Sequence, residues 1–170
     1  MIQLEKLLFE VYTDRDIETE IKHCVILFER AKENGSIKIV ARELEKRFYN
    51  NPEIIKALND ATNRKVSIDI IFGPTMESGN GELQKLWKEK KINLWYLEKQ
   101  YPQHFMVIDD FMVIDDRYVR TEELHLPGQI ERQGYMYRTS WIGKRLAEDF
   151  VKLQTQAKHL SPDKDTLEAI

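Results

Sequence analysis

Several features that would place a protein in a special class are missing from this 170-residue sequence. The single cysteine, Cys24, excludes an intrachain disulfide and fits a reducing compartment. No apolar run approaches the roughly 20 residues that cross a bilayer. Charged residues interrupt the first ten positions, MIQLEKLLFE, so they do not fit a signal peptide. These absences predict a cytoplasmic protein without a membrane span.

A strong charge of either sign is also missing. The formal net charge is −3, from 26 basic and 29 acidic residues. A net charge this close to zero gives no general attraction to nucleic acid or anionic lipid. Any such affinity must come from a local group of residues. Because 42% of the residues are hydrophobic, the chain can bury one core. We expect a single domain over 1–160 and a flexible tail over 161–170.

Hydrophobic periodicity predicts helices and strands in alternation. Apolar residues at helical spacing indicate a helix over 17–31, preceded by a shorter apolar segment over 2–11, with Gly35 suited to a left-handed cap. Asn51 and Pro52 suit the start of a second helix. Further strands are predicted at 36–41, 66–72, 92–97 and 131–138, and further helices at 82–91 and 142–157. This order predicts an α/β fold, a mixed sheet flanked by helices with an N-terminal helical segment.

One stretch is duplicated: Phe105–Asp110 recurs letter for letter as Phe111–Asp116. Side chains on a strand alternate between faces, so an insertion of six residues leaves every later side chain on its original face. The added length is roughly 20 Å of extended chain. Either one long strand results, or the copies fold against each other with a turn near Asp109. The sequence does not decide which copy is the central strand, or whether the repeat is neutral core or a functional edge.

Residues 52–74 and 104–121 resemble the phospholipase D-like family. The first range matches its helix–strand unit, and the second matches its apolar strand, of the type FMVID, which ends in aspartate. The resemblance spans roughly residues 14–155 and implies the family's mixed α/β fold. In the family, a His-x-Lys pair precedes this strand and a Gly-Ser-x-Asn element follows it. The histidine attacks phosphorus and the lysine stabilises phosphate charge.

Neither copy of the repeat supplies that pair. With the first copy as the family strand, the histidine and lysine positions are Pro102 and His104; with the second copy they are Ile108 and Asp110. The Gly-Ser-x-Asn element becomes Glu122–His125. Carboxylates in place of a lysine should repel a phosphodiester. The resemblance therefore implies a scaffold without the family's catalysis. It also implies a homodimer with the 104–125 region near the interface, because single-motif members pair about a two-fold axis.

Two groups of residues are candidate sites. The first would lie together if the fold is right, and could either ligate zinc or manganese or form a solvated strand end: His104, Glu122, Glu123 and His125. The second belongs to the stretch 117–145, in which six basic residues oppose three acidic ones, a net charge of +3. Its proposed ligand-binding residues are Arg117, Arg120, Arg132, Tyr135, Tyr137 and Arg138. Arginines interleaved with aromatic rings can hold phosphates and stack on bases; alternatively, the rings are core residues and the arginines are solvated.

These observations favour a catalytically inactive binding or regulatory module that needs neither a cofactor nor a metal. Its partner would be an anionic small molecule, a nucleic acid or a protein. The alternative is a phosphodiesterase or nuclease with a rebuilt site, in which His104 or His125 acts together with a metal ion.

Overall fold

The computed structural model describes residues 10–14, 17–76, 80–98, 111–115, 118–122, 132–138, 140–165 and 167. These residues form eight strands and five helices. The strands are β1 (Glu10–Asp14), β2 (Ser36–Leu44), β3 (Ser67–Met76), β4 (Asn93–Tyr96), β5 (Phe111–Ile114), β6 (Tyr118–Glu122), β7 (Arg132–Arg138) and β8 (Lys158–Leu160). The helices are α1 (Ile17–Glu29), α2 (Lys46–Tyr49), α3 (Pro52–Asn63), α4 (Gly81–Lys88) and α5 (Ser140–Gln156).

All eight strands belong to one mixed sheet in the order β1-β7-β6-β5-β2-β3-β4-β8. Strands β2, β3 and β4 are parallel, and helices connect them, as short βαβ crossovers require. The other neighbouring strands pair antiparallel. The predicted mixed α/β sheet, parallel at its start, is confirmed.

Helices cover both faces of the sheet. Helices α1 to α4 pack on one face over Ile39 and Ile70, and α5 packs on the other over Val40 and Ile71. Neighbouring residues of β2 and β3 thus enter different hydrophobic clusters, because side chains alternate along a strand. Burial on both faces explains the apolar runs at 39–41 in β2 and 70–72 in β3. The predicted inner stripe of α5 is buried as expected, including Leu146, Phe150 and Leu153.

The N-terminal residues differ from the expectation. The apolar segment that ends at Val11 was grouped with the helical region, but Glu10–Asp14 is a strand, antiparallel to β7. Val11, Tyr12 and Thr13 are β-branched or aromatic and favour a strand when a neighbouring backbone is available for pairing. Residues 1–9 lie outside the described part of the chain.

Two predicted cap residues have different outcomes. Asn51 caps α3 as predicted, because its side-chain oxygen accepts hydrogen bonds from the backbone N–H groups of Glu53 (2.8 Å) and Ile54 (3.4 Å). After α1, however, the left-handed residue is Asn34, with φ of 60°, and not Gly35. Glycine is required at position 35 for another reason: a Cβ atom there would overlap the carboxylate of Asp115.

The start of the predicted flexible tail packs against the domain. The indole N–H of Trp87 donates a hydrogen bond of 3.2 Å to the carbonyl of Leu160, and Leu167 is buried. Ion pairs join Lys90 to Asp163 at 2.9 Å and Lys158 to Asp165 at 2.7 Å. Residues 161–165 are therefore held to the rest of the domain by polar contacts. The polar composition of this segment does not predict them. No helix within the described ranges has the length and apolar character to cross a membrane.

Candidate ligand site at the carboxyl edge of the sheet

The parallel strands β2, β3 and β4 end at one edge of the sheet, which we call the carboxyl edge. The first residue of β5, Phe111, pairs with Val40 near this edge and also with Thr121 near the end of β6. The chain therefore enters β5 and leaves β6 on the side of the carboxyl edge. Ligands of open α/β sheets bind outside the carboxyl ends of their strands, so this edge is the candidate site.

The structure answers which copy of the repeat forms the central strand. Strand β5 consists of residues of the second copy and lies between β2 and β6. The first copy, Phe105–Asp110, lies outside the described residues. With this register, the family's histidine and lysine positions are Ile108 and Asp110. Those two positions directly precede β5 and are likewise not described.

Asp115 fixes that register at the opposite edge of the sheet. Its carboxylate accepts hydrogen bonds of 2.8 Å from the backbone N–H groups of Lys32 and Ser36. Its own N–H donates to the carbonyl of Ser36 at 2.9 Å, and its φ of 52° ends the strand. This aspartate closes the apolar strand in the family-like motif. In this chain it joins β5 to the loop before β2, which is a structural role.

Beneath α1, the structure contains a buried ion pair that the sequence analysis missed. Arg120 on β6 lies 3.3 Å from the carboxylate of Glu20 on α1, and the two side chains are 1% and 6% exposed. Arg120 pairs in the sheet with Met112, and Met112 pairs with Ile39 on the face covered by α1. Glu20 did carry a signal, because it precedes Cys24 by four residues and so borders the apolar stripe of α1.

This pair corrects the interpretation of Arg120. The residue was assigned to a ligand-binding basic surface, whereas it is an interior residue whose charge is met by Glu20. A buried guanidinium requires such a partner, since an uncompensated charge in the interior is very costly. The exposed positive charge of the 117–145 stretch is correspondingly smaller than its composition indicates.

Four of the other five predicted ligand-binding residues lie in the described part of the chain. Arg132, Tyr135, Tyr137 and Arg138 all belong to β7. Arg132 pairs with Asp14, and Arg138 with Tyr118, so the two arginines stand at opposite ends of the strand. Arg117 lies outside the described residues. Because alternate positions of a strand lie on opposite faces of the sheet, positions 132 and 138 share one face and positions 135 and 137 the other. That the arginines bind a ligand stays a prediction.

Most of the predicted group of histidines and glutamates lies outside the described residues. Glu122 ends β6 at the carboxyl edge and pairs with Gly134, while His104, Glu123 and His125 are not described. Among the residues that are described, no three histidine, cysteine, aspartate or glutamate side chains stand close enough to hold a metal. Metal binding by the predicted group is left as a hypothesis.

Buried polar residues shape the described part of the carboxyl edge. The side-chain N–H of Asn80 donates a 2.7 Å hydrogen bond to the carbonyl of Leu44, which ties the start of α4 to the end of β2. Next to Leu44, Glu45 is 8% exposed and lies 3.5 Å from Arg47. An asparagine and a carboxylate are thus fixed where the parallel strands end. Neither was singled out from the sequence, because the tertiary contacts alone bring them together.

The resolved pKa shifts lie away from this edge. A hydrogen bond from Lys158, together with one from the backbone N–H of Ser161, lowers the pKa of Asp165. A hydrogen bond from Lys91 lowers the pKa of Glu89, and Asp60 raises the pKa of Lys56 by the same kind of contact. Lys56 and Glu89 are exposed and Asp165 is partly exposed, and each shift comes from an ion pair at the surface and not from a tuned catalytic group.

Solved structures of similar shape match nearly the whole chain. Nuc from Salmonella typhimurium, a phospholipase D family member, gives a TM-score of 0.62 at 16% identity, over 89% of this chain and 98% of its own. NucT from Helicobacter pylori gives 0.64 at 11% identity, over 89% and 98%. TrmBL2, an archaeal chromatin protein with a novel mode of DNA binding, gives 0.61 at 17% identity, over 90% of this chain and 54% of TrmBL2. No family model and no curated protein matches the sequence.

Proposed function

We propose, on the premise that this chain has a phospholipase D-like fold, that it is a catalytically inactive binding module. The observation that carries the proposal is the register of β5. With the second copy of the repeat as the central strand, Ile108 and Asp110 stand at the family's histidine and lysine positions. An alkyl group cannot attack phosphorus, and a carboxylate cannot stabilise phosphate charge.

No His-x-Lys pair occurs elsewhere in the sequence. None of the four histidines is followed two residues later by lysine. Glu122 and Glu123 stand where the family has Gly-Ser, so the motif gains two more carboxylates besides Asp110. The rival reading, a phosphodiesterase rebuilt around His104 or His125 and a metal ion, would need that negative charge to be neutralised by the metal.

Nucleic acid is the ligand that we favour. The DNA-binding chromatin protein among the structural neighbours supports this choice, as does the surplus of arginine and tyrosine on β7. Arg132 and Arg138, whose positions share one face of the sheet, would contact phosphates. Tyr135 and Tyr137 stand at positions of the other face, so they are not part of this proposed phosphate contact. We further propose that the active form is a homodimer with the 104–125 region near its interface.

Two assays on the full chain test this function. Hydrolysis of bis-p-nitrophenyl phosphate and of plasmid DNA, with and without Mn²⁺ or Zn²⁺, should stay at the level of a protein-free control. Hydrolysis that disappears in His104→Ala or His125→Ala would establish the rival enzyme. Binding of a labelled DNA oligonucleotide, followed by fluorescence anisotropy, should weaken steeply as salt rises, because phosphate contacts release counterions.

A matched pair of variants locates the binding surface. The double variant Arg132→Gln/Arg138→Gln should weaken DNA binding at least about fivefold, since each lost phosphate contact removes part of the electrostatic attraction. The control Lys56→Gln removes an exposed cation from α3, where Lys56 pairs with Asp60, and should leave binding unchanged. Equal weakening by both changes, or no binding by the unaltered protein, would contradict DNA as the ligand.

A further inference from the structure

The outer face of α5 carries exposed hydrophobic residues that the core does not use. Trp141 is 77% exposed and Val151 is 52% exposed, and only Ile26 joins them among large hydrophobics exposed in the described residues. The two residues are ten positions apart, about 15 Å along a helix. The inner face of the same helix is buried against the sheet through Leu146 and Phe150. Trp141 and Val151 therefore mark a face that points away from the domain.

Two opposite charges lie between these hydrophobic residues. Lys144 and Glu148 are exposed and one helical turn apart. Lys144 makes no ion pair with the residues that the structure describes. Within the described ranges, Glu148 forms one ion pair, an exposed contact of 3.9 Å with the guanidinium of Arg145. Exposed contacts of this kind contribute little, so both charges are available to another molecule.

The order of these four residues is self-complementary. Position 146 is the midpoint between Trp141 and Val151 and also between Lys144 and Glu148. Two copies of α5 can lie antiparallel, with their outer faces together and a two-fold axis at the level of position 146 along the helix. Each Trp141 then meets the partner's Val151, and each Lys144 meets the partner's Glu148. Such an interface repeats every contact twice. A parallel pairing would set Lys144 against Lys144 and Glu148 against Glu148.

We propose that the outer face of α5 is a self-association surface through which two copies of this chain pair with their α5 helices antiparallel. A nucleic acid fits this face less well, because Arg145 is already bound to Asp149 at 3.5 Å and Glu148 adds negative charge. The surface is separate from the carboxyl edge and does not depend on the proposed function. One helix pair buries less area than a standard interface, so we expect association in the micromolar range.

Charge reversal tests the pairing by sedimentation equilibrium from about 1 to about 200 µM protein at low salt, the range in which a small interface dissociates. Lys144→Glu and Glu148→Lys should each raise the dissociation constant at least about fivefold, because each places like charges together twice. The double variant Lys144→Glu/Glu148→Lys restores both pairs and should return to within about twofold of the original. Lys56→Glu, a reversal on α3, is the control and should change nothing.

Cross-linking tests the register. Under mild oxidation, a mixture of Trp141→Cys and Val151→Cys chains should form a disulfide between unlike chains. Each variant alone should not, because like positions lie about 15 Å apart in the antiparallel pair. Dissociation constants that no charge reversal changes, or equal cross-linking of Trp141→Cys with itself, would overturn the inference. The homodimer proposed through the 104–125 region is a separate contact, and the α5 reversals should leave it unchanged. Circular dichroism of each variant establishes that it is folded.

Discussion

Two regions of the molecule use the same chemistry to join distant parts of the chain, but in opposite surroundings. Beneath α1, Glu20 and Arg120 meet with side chains that are 6% and 1% exposed. In the C-terminal segment, Lys90 and Asp163 meet at 2.9 Å with side chains that are 66% and 68% exposed. The shorter contact is the weaker one in energy, since water screens it and solvates either partner alone. Burial, and not distance, determines how much unfolding free energy is lost when one partner of a charge pair is removed.

The comparison also indicates what each pair does. The buried pair joins α1 to β6, and removing either partner takes the opposite charge away from a group that is buried in the core. The pairs at Asp163 and Asp165 hold the segment that follows β8, and we expect them to open without disturbing the sheet. We therefore expect a graded set of responses, from the interior at β6 to the surface at Asp165.

The largest effect is expected for Glu20→Ala. It leaves the guanidinium of Arg120 buried without its carboxylate, and breaking a buried pair from one side costs about 3–5 kcal/mol of unfolding free energy. Urea denaturation followed by tryptophan fluorescence measures the change. The control Asp60→Ala removes the partner of Lys56 in an exposed pair and should cost less than about 0.5 kcal/mol. Equal effects of the two substitutions would mean that burial does not separate the two classes.

An intermediate effect is expected for Asp115→Ala. Two backbone N–H groups, of Lys32 and Ser36, lose their acceptor, at a cost of about 1–3 kcal/mol. Alanine also tolerates the φ of 52° less well than aspartate or asparagine. Asp115→Asn keeps one acceptor oxygen and should recover about half of the loss. If Asp115→Asn lost as much stability as Asp115→Ala, the charge of Asp115, and not its hydrogen bonds, would be what stabilises this contact.

The sequence alone was enough for elements whose signals are local. Helix α3 was predicted because Asn51 and Pro52 carry the cap chemistry, and β3 because its residues are mostly β-branched and apolar. Strand β1 was not predicted, because its five residues become a strand only by pairing with β7, more than a hundred positions later. A strand that forms only by pairing with such a distant neighbour has no periodic pattern in its own sequence from which it could be predicted.

Site residues were harder to predict for the same reason. Arg120 was predicted to bind a ligand because it belongs to the stretch 117–145, in which six basic residues lie among aromatic rings. Nothing near it in sequence reveals that α1 covers that face and supplies Glu20. The apolar strand ending in Asp115 was visible as a motif, but its bonds to Lys32 and Ser36 join residues about eighty positions apart.

The smallest effect is expected at Asp165, and it depends on pH. Its pKa is lowered, first by the hydrogen bond from Lys158 and then by that from the N–H of Ser161. A carboxyl group whose pKa is lower in the folded state adds stability above its unfolded pKa of about 3.9, and loses it as pH falls through the folded value. The local contact should therefore be complete at neutral pH and should open in acid, below the ordinary range of an aspartate.

Amide hydrogen exchange at Ser161 detects this opening without global unfolding, because the N–H is bonded to the Asp165 carboxylate at 2.8 Å. Relative to core amides of β3, protection at Ser161 should fall as the carboxylate is protonated. In Asp165→Asn the protection should be lower at neutral pH and should no longer change with protonation of residue 165. Protection that follows the core amides at every pH would mean that the C-terminal segment opens only when the whole domain does, so that the exposed contacts would belong to the same cooperative unit as the buried pair.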